Sequence, residues 1–251
     1  MAYRHGVYIS EVPTSILPPV TAESSLPVVF GTAPINMVED AAGAVNKPIL
    51  VYSYQEAVQK LGFVPANPET GEFEFTLCEF MRSHFALFAA APVVFVNVLN
   101  PEDHSVSVSD EQAVIVANKA LLPAGTIPGS VVVKDDIGGT TYIEGVDYDL
   151  TFSSAGEVVI NRIEGGAIPE NAQILVSYDR LDPSAVTSAD IIGGIDAVSG
   201  KATGLELLDE VFPRFRLIPG QVLAPGFSTD PSVAAVMRAK ASNINGHFKA
   251  I

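Results

Sequence analysis

The residues best suited by type and spacing to do chemistry lie in the last third of the chain. Glu206, Asp209 and Glu210 stand three and four apart on one expected helix. Carboxylates so placed do acid–base work or hold a cation, and the same spacing describes a solvated helix face with a cap. Gly194 to Lys201 has the make-up of a phosphate loop, but its spacing fails. Five residues, not four, separate Gly194 from Gly200, and Ala202 stands where Mg²⁺ binding needs a hydroxyl, so a plain loop is expected. Cys78 is the single cysteine, which excludes an internal disulfide framework and a cysteine-based zinc site. It sits among Phe75, Leu77, Phe80 and Met81 and reads as a small buried hydrophobe, Arg82 being the one local cation a reactive thiol would need.

The four histidines, His5, His84, His104 and His247, are scattered, and none has a second histidine three or four residues away. His84 falls on an apolar helix face and reads as a core histidine. Asp147 and Asp149 alternate with Val146, Tyr148 and Leu150, the pattern of a strand's outward face, and Asp135-Asp136 reads as a turn. There is no dinucleotide-binding glycine fingerprint and no nucleophile elbow. The expectation is a protein that is not an enzyme, with no catalytic, cofactor or metal residues. Phe212-Pro213-Arg214-Phe215-Arg216 mixes aromatic and basic residues; Arg214 and Arg216 are candidates for pairing with acidic residues on a neighbouring subunit.

The elements that would carry these residues follow from composition and pattern. Apolar residues make up 48% of the 251, ample for a core. A net charge of −15 argues against nucleic-acid and anionic-membrane partners, which need clustered Lys and Arg. No apolar run follows Arg4 and His5, so no secretory leader is expected, and the run from Phe85 to Val96 is too short and too broken by Pro92 to span a membrane. Assembly in a cytoplasm is expected.

Residues 1–25 read as an extended arm: Tyr3, Val7, Tyr8, Ile9 and Val12 are strand formers, while Pro13, Pro18 and Pro19 exclude a helix. Such an arm either pairs with another chain or frays or folds back on its own domain. Residues 26–101 read as the first part of an α/β domain. Leu26 to Gly31 is a buried strand, Ile49 to Tyr52 a short one, and Ser53 with Glu56 a capping box opening a helix whose apolar face is Tyr54, Ala57, Val58 and Leu61. A second helix presents Leu77, Phe80, Met81, His84, Phe85 and Phe88, and Val93 to Leu99 is a strand of the kind buried on both faces. Residues 102–181 read as a small all-β unit, sandwich- or barrel-like, inserted into that domain, with strands at 130–134, 140–143, 145–152, 156–160 and 172–178. Residues 182–251 return to the α/β domain. Ala185 to Ile192 is an ambiguous short helix, and Thr203 with Glu206 is a second capping box. Phe215 to Ile218 is a strand, Pro219-Gly220 a turn and Val222 to Pro225 another strand. Asp230-Pro231 opens a last helix with Val233, Val236, Met237 and Ala241 on its apolar face. Phe248 to Ile251 reads as the opening of a strand, so the α/β domain is expected to be truncated at its C-terminal end. The strand–helix–strand crossover alone also suits a ligand-binding protein or enzyme with a β insertion.

Two stretches resemble the contractile phage tail sheath family: His5-Gly6-Val7-Tyr8-Ile9-Ser10-Glu11-Val12-Pro13 followed by Pro27 to Pro34, and Gly204-Leu205-Glu206-Leu207-Leu208-Asp209-Glu210-Val211-Phe212-Pro213-Arg214-Phe215 followed by Pro219-Gly220 and Leu223 to Phe227. The resemblance implies a sheath subunit in a virion, its N-terminal portion, stacking as hexameric rings around an inner tail tube protein and meeting baseplate and tail terminator proteins. It implies arms that exchange strands between neighbours, here Val7, Tyr8, Ile9 and Val12, and a β unit on the outside of the sleeve. Contraction would drive the tube through a cell envelope. The sheath of a related secretion or injection system is the alternative it leaves open.

Overall fold

The computed structural model describes residues 26–135 and 139–251. Strand β1 (Leu26–Gly31) is buried at all of its positions, which suits its unbroken apolar run. Strand β2 (Ile49–Val51) leads into helix α1 (Tyr54–Leu61). Ser53 caps α1, its hydroxyl accepting the Glu56 N–H at 3.2 Å. The Glu56 carboxylate reaches back to the Tyr52 N–H at 2.8 Å, one residue earlier than a capping box requires. Helix α2 (Thr76–Met81) runs on into a π-helical turn, Arg82–Leu87. That wider turn changes the helical phase. Leu77, Met81 and Phe85 stay buried, whereas Phe88, expected on the same face, is 76% exposed. Strand β3 (Val93–Asn97) is again buried throughout.

Six strands follow: β4 (Ser105–Val114), β5 (Lys119–Ala124), β6 (Val132–Asp135), β7 (Tyr148–Phe152), β8 (Glu157–Arg162) and β9 (Gln173–Leu181). They form two antiparallel sheets, ordered β4-β9-β6 and β5-β8-β7. Both sheets contribute to one apolar cluster that includes Leu122, Val133, Tyr148, Ile160, Ile174 and Val176. Three readings of this stretch are corrected. β4 has almost no buried position, and a register shift between Val108 and Glu111, with Asp110 at φ +51°, breaks its alternation. β5 carries Pro123, which demotes a strand pattern. Both strands therefore lack the signal that marks their neighbours. Residues 140–143 make a single bridge, Lys134 with Thr141, and are no strand.

Helix α3 (Ser188–Ile192) settles the ambiguous stretch and carries a complete capping box, Thr187 with Asp190. The box expected at Thr203 and Glu206 does not form. The Thr203 hydroxyl accepts the Gly194 N–H at 3.1 Å instead, and Glu206 turns to Lys240 at 2.6 Å. A 3-10 turn (Gly204–Leu207) leads into helix α4 (Leu208–Phe215). The expected strand at 215–218 is absent: Phe215 ends α4, and Arg216 adopts the left-handed conformation at φ +60°. Strand β10 (Pro219–Leu223) includes the Pro219-Gly220 pair read as a turn, because pairing with β1 begins at Leu26 opposite Pro219. Helix α5 (Pro231–Ala241) is capped by Asp230, which accepts the Ser232 N–H at 2.8 Å.

The central sheet has the order β10-β1-β3-β2, with β1 parallel to both β10 and β3 and β2 antiparallel to β3. The larger apolar cluster surrounds it, drawing on Phe30, Phe75, Phe95, Leu205, Leu208 and Val233. At the outer side of β10, the Val222 N–H donates to the Ile251 carbonyl (2.8 Å) and the Ile251 N–H to the Gly220 carbonyl (3.0 Å), a parallel pairing pattern. Buried Asn97 is fully engaged: its Oδ1 accepts the Ala33 and Leu99 N–H groups, and its Nδ2 donates to the Ala44 and Leu99 carbonyls. It thereby ties the end of β3 to the loop after β1.

Candidate functional site

Among the described residues, most of the groups that could do chemistry are placed by the fold in a structural contact. Glu206, Asp209 and Glu210 lie on the 3-10 turn and α4 but do not converge. Glu206 and Asp209 pair with Lys240 of α5 at 2.6 and 3.6 Å. Asp209 also accepts the Asn245 N–H at 2.9 Å. Glu210 pairs with Arg214 one turn on, at 2.6 Å. These carboxylates fasten the turn and α4 to α5 and α4 to itself, and the solvated-face reading missed Lys240 as the common partner of Glu206 and Asp209.

The loop from Gly194 to Lys201 is organised by a carboxylate. Asp196 accepts the backbone N–H groups of Val198 (3.1 Å) and Ser199 (2.5 Å), and the Ser199 contact leads in holding its pKa below the ordinary value. A negative group thus occupies the turn where a phosphate loop would present free amides. Asp147, expected on an outward strand face, is buried in a turn before β7. It accepts the N–H groups of Ala167 and Ile143, both at 2.8 Å, and these two bonds lower its pKa. Asp149 keeps its exposed position on β7. Asp135 ends β6, and Asp136 lies outside the described residues.

Cys78 is fully buried beneath the Val64 N–H, and burial pushes its thiol up to about 12. At neutral pH it holds almost no thiolate, the form that reacts. His84 stacks on Phe80 with ring centroids 4.7 Å apart, and burial lowers its pKa. His104 has a role the sequence did not signal. Its Nδ1 accepts the Asn100 N–H at 3.0 Å, and its Nε2 lies 3.5 Å from Asp190 of α3, bracing the entry to β4. His247 contacts the Asn245 carbonyl, and His5 is outside the described residues. Among the described residues no group of three or more His, Cys, Asp or Glu is placed to hold a metal ion.

Arg214 is engaged with Glu210 inside its own helix, and Arg216 is exposed. Val7, Tyr8, Ile9 and Val12 lie outside the described residues. An open cleft of about 1060 Å³ lies where the loops after β1 and before α4 meet the base of the β-rich region. Asn36, Val45, Lys47, Ile127, Lys201 and Arg214 are among its lining. Asn36 donates from Nδ2 to the Thr126 carbonyl at 2.9 Å, while its buried Oδ1 has no hydrogen-bond partner. The described lining of the cleft mixes apolar residues with the charged side chains of Lys47, Glu102, Lys201, Glu210 and Arg214.

No protein-family model matches the chain. Over 242 residues, 95% of its length, the chain is 32% identical to the tail sheath protein of Burkholderia phage BcepMu. The chain is a member of the phage tail sheath family. It spans 46% of that relative's length. The match runs along nearly the whole sequence, so the family relationship does not rest on one motif. Among the described residues no helix is long and apolar enough to cross a membrane.

Proposed function

We propose that this polypeptide is a structural subunit of a contractile tail sheath, a virion component with no enzymatic role. The observation that carries the reading is the 32% identity to a phage tail sheath protein along 95% of the chain. In this reading copies stack as hexameric rings around an inner tail tube, meet baseplate and terminator proteins at the ends, and contract to drive the tube through a cell envelope. Residues 1–25 are the arm, with Val7, Tyr8, Ile9 and Val12 adding as a strand to a neighbouring copy. Arg214 and Arg216 contribute charge contacts between subunits.

Residues 102–181 are an inserted β domain facing outward, and 26–101 with 182–251 make the α/β domain. The pairing of Ser105 with Leu181 supports this division, because the entering and leaving strands β4 and β9 lie side by side at the boundary. So do the two separate apolar clusters. Contraction then needs no cofactor: an extended lattice trapped in a higher-energy packing releases its strain when the copies re-pack.

Negative-stain electron microscopy of the high-mass material tests the reading. Striated sleeves in long and short forms are the expected result, and a compact monodisperse particle would overturn it. Deleting residues 1–20 should leave a folded monomer that forms no sleeves; normal sleeves from that deletion would remove the arm from the scheme.

A further inference from the structure

The charge of the chain is unevenly spread. Residues 102–181 hold 13 of the 29 carboxylates and only 4 of the 14 Lys and Arg. The cleft at the base of this acidic region collects three of the remaining cations, Lys47, Lys201 and Arg214. Arg214 is neutralised by Glu210, and Glu102 also faces the cleft. Lys201 feels Asp196 across its own loop. Lys47 and Lys201 are both exposed, and neither forms a salt bridge among the described residues. Between them the walls are apolar, with Val45, Ile127 and Leu207.

The opposite end of the β-rich region has the complementary make-up. Ile143 and Val146 are 60% and 57% exposed, large apolar residues at the two ends of one backbone turn. Glu144 stands between them and Glu164 lies in the next turn, both exposed; the cations at this end are Lys119 and Arg162, and Arg162 is held by the Ile168 carbonyl and Asn118 Oδ1. Asp147 knits these two turns together through the Ile143 and Ala167 N–H groups, so the end is preorganised. It is also remote from the cleft. The turn at Gly156 touches Val64 of the α/β region, and β8 then carries the chain six residues away, roughly 3.3 Å each, to the far end.

We propose that this acidic, apolar-tipped end of one copy docks into the Lys47–Lys201 cleft of a second copy. The occupant is a second copy because the two surfaces match in both charge and apolar content and cannot meet within one chain. The contact joins two different faces, so it is heterologous and propagates head to tail, as a ring or helix requires. The inference rests on the sheath reading and names one of its subunit interfaces.

The experiment uses the intact polypeptide in four samples: wild type, Lys47→Glu with Lys201→Glu, Glu144→Lys with Glu164→Lys, and an equal mixture of the two variants. All four substituted residues are exposed, and circular dichroism checks that each variant folds. Self-association is read by sedimentation velocity and negative-stain microscopy at low salt. Each double variant alone is expected to associate about tenfold more weakly or worse, and the mixture is expected to recover association, since every interface in an alternating array then pairs opposite charges. Variants that assemble like the wild type would overturn the interface and leave the sheath reading standing. So would a mixture that fails to recover where each variant alone is defective. A wild type that never self-associates would overturn the sheath reading itself and the interface with it.

Discussion

In the α/β region, β1 and β3 are buried at every position; in the β-rich region, β5 and β9 alternate between buried and exposed. The first pair lies inside a sheet with strand neighbours on both sides and helices packed against it, so both faces need apolar residues. The second belongs to two three-stranded sheets that share a single core and turn their other faces to water. The two regions therefore differ in how much each position matters. A β1 or β3 substitution opens a cavity whichever way the side chain points, whereas along β5 and β9 mainly alternate residues carry that penalty; β8, with Val158, Val159 and Ile160 all buried, is the exception in the β-rich region.

The sharpest way to break this comparison is a core truncation in each region. Phe95 of β3 is fully buried and packs on Phe80 and Phe85, with ring centroids 5.9 and 6.2 Å away. Phe95→Ala is expected to cost about 3–5 kcal/mol in denaturant unfolding, more than Ile174→Ala in the smaller core at about 2–4 kcal/mol. Hydrogen exchange followed on both variants sharpens the test. If the β-rich region is a domain of its own, Phe95→Ala strips protection from β1 and β3 while β8 and β9 keep theirs. Simultaneous loss in all four strands would make the regions one cooperative unit.

Glycine substitutions come next in size. Gly193 has φ +65°, and a Cβ there would lie 2.0 Å from the Thr203 carbonyl oxygen. Gly193→Ala therefore combines left-handed strain with a backbone clash and is expected to cost roughly 2–3 kcal/mol. Gly165 in the β-rich region also has positive φ but open space around it. Gly165→Ala is expected to cost only the conformational part, about 1 kcal/mol. Equal losses in thermal unfolding would contradict the packing difference.

Acid sensitivity is a smaller effect with a defined direction. Ser188 and Ser232 donate to Asp230, hydrogen bonds that lower its pKa from 3.8 to about 2. A depressed folded pKa means the stabilisation is present above the ordinary value and is lost as pH falls from 3.8 toward 2. An acid titration of α5 amide protection should show that loss, and Asp230→Asn, which keeps a capping side chain, should flatten it. The smallest expected effect is at Cys78. A thiol reagent at pH 8 should leave it unmodified in the native protein and label it on unfolding, because burial pushes the thiol up to about 12. Native labelling at the rate of a free thiol would show that the helix α2 face opens.

Legibility in the sequence followed the same division. The unbroken apolar runs of β1 and β3 were plain, and so were the Ser53 and Asp230 caps, because each depends on residues within a turn of one another. Phe88 was misplaced because the π-helical turn alters the helical phase, a change that a 3.6-residue period cannot anticipate. β4 was invisible because it packs little and is interrupted at Asp110. Thr203 and Glu206 matched a local capping pattern, yet longer-range partners, Gly194 and Lys240, took both side chains. Asp147 looked like a strand's outward residue and is instead the hub of two turns 20 residues apart.

By itself the sequence determined the acidic character, the α/β–β–α/β order of elements, the starts of the helices capped by Ser53 and Asp230, and the family resemblance, all of which are written in local pattern and composition. The tertiary structure decided which carboxylates meet Lys240. It also decided that β10 begins at Pro219 and that Lys47, Lys201 and Arg214 border one cleft. Those outcomes depend on residues far apart in the chain, and only the packing of one element against another brings them within hydrogen-bonding or Coulombic reach.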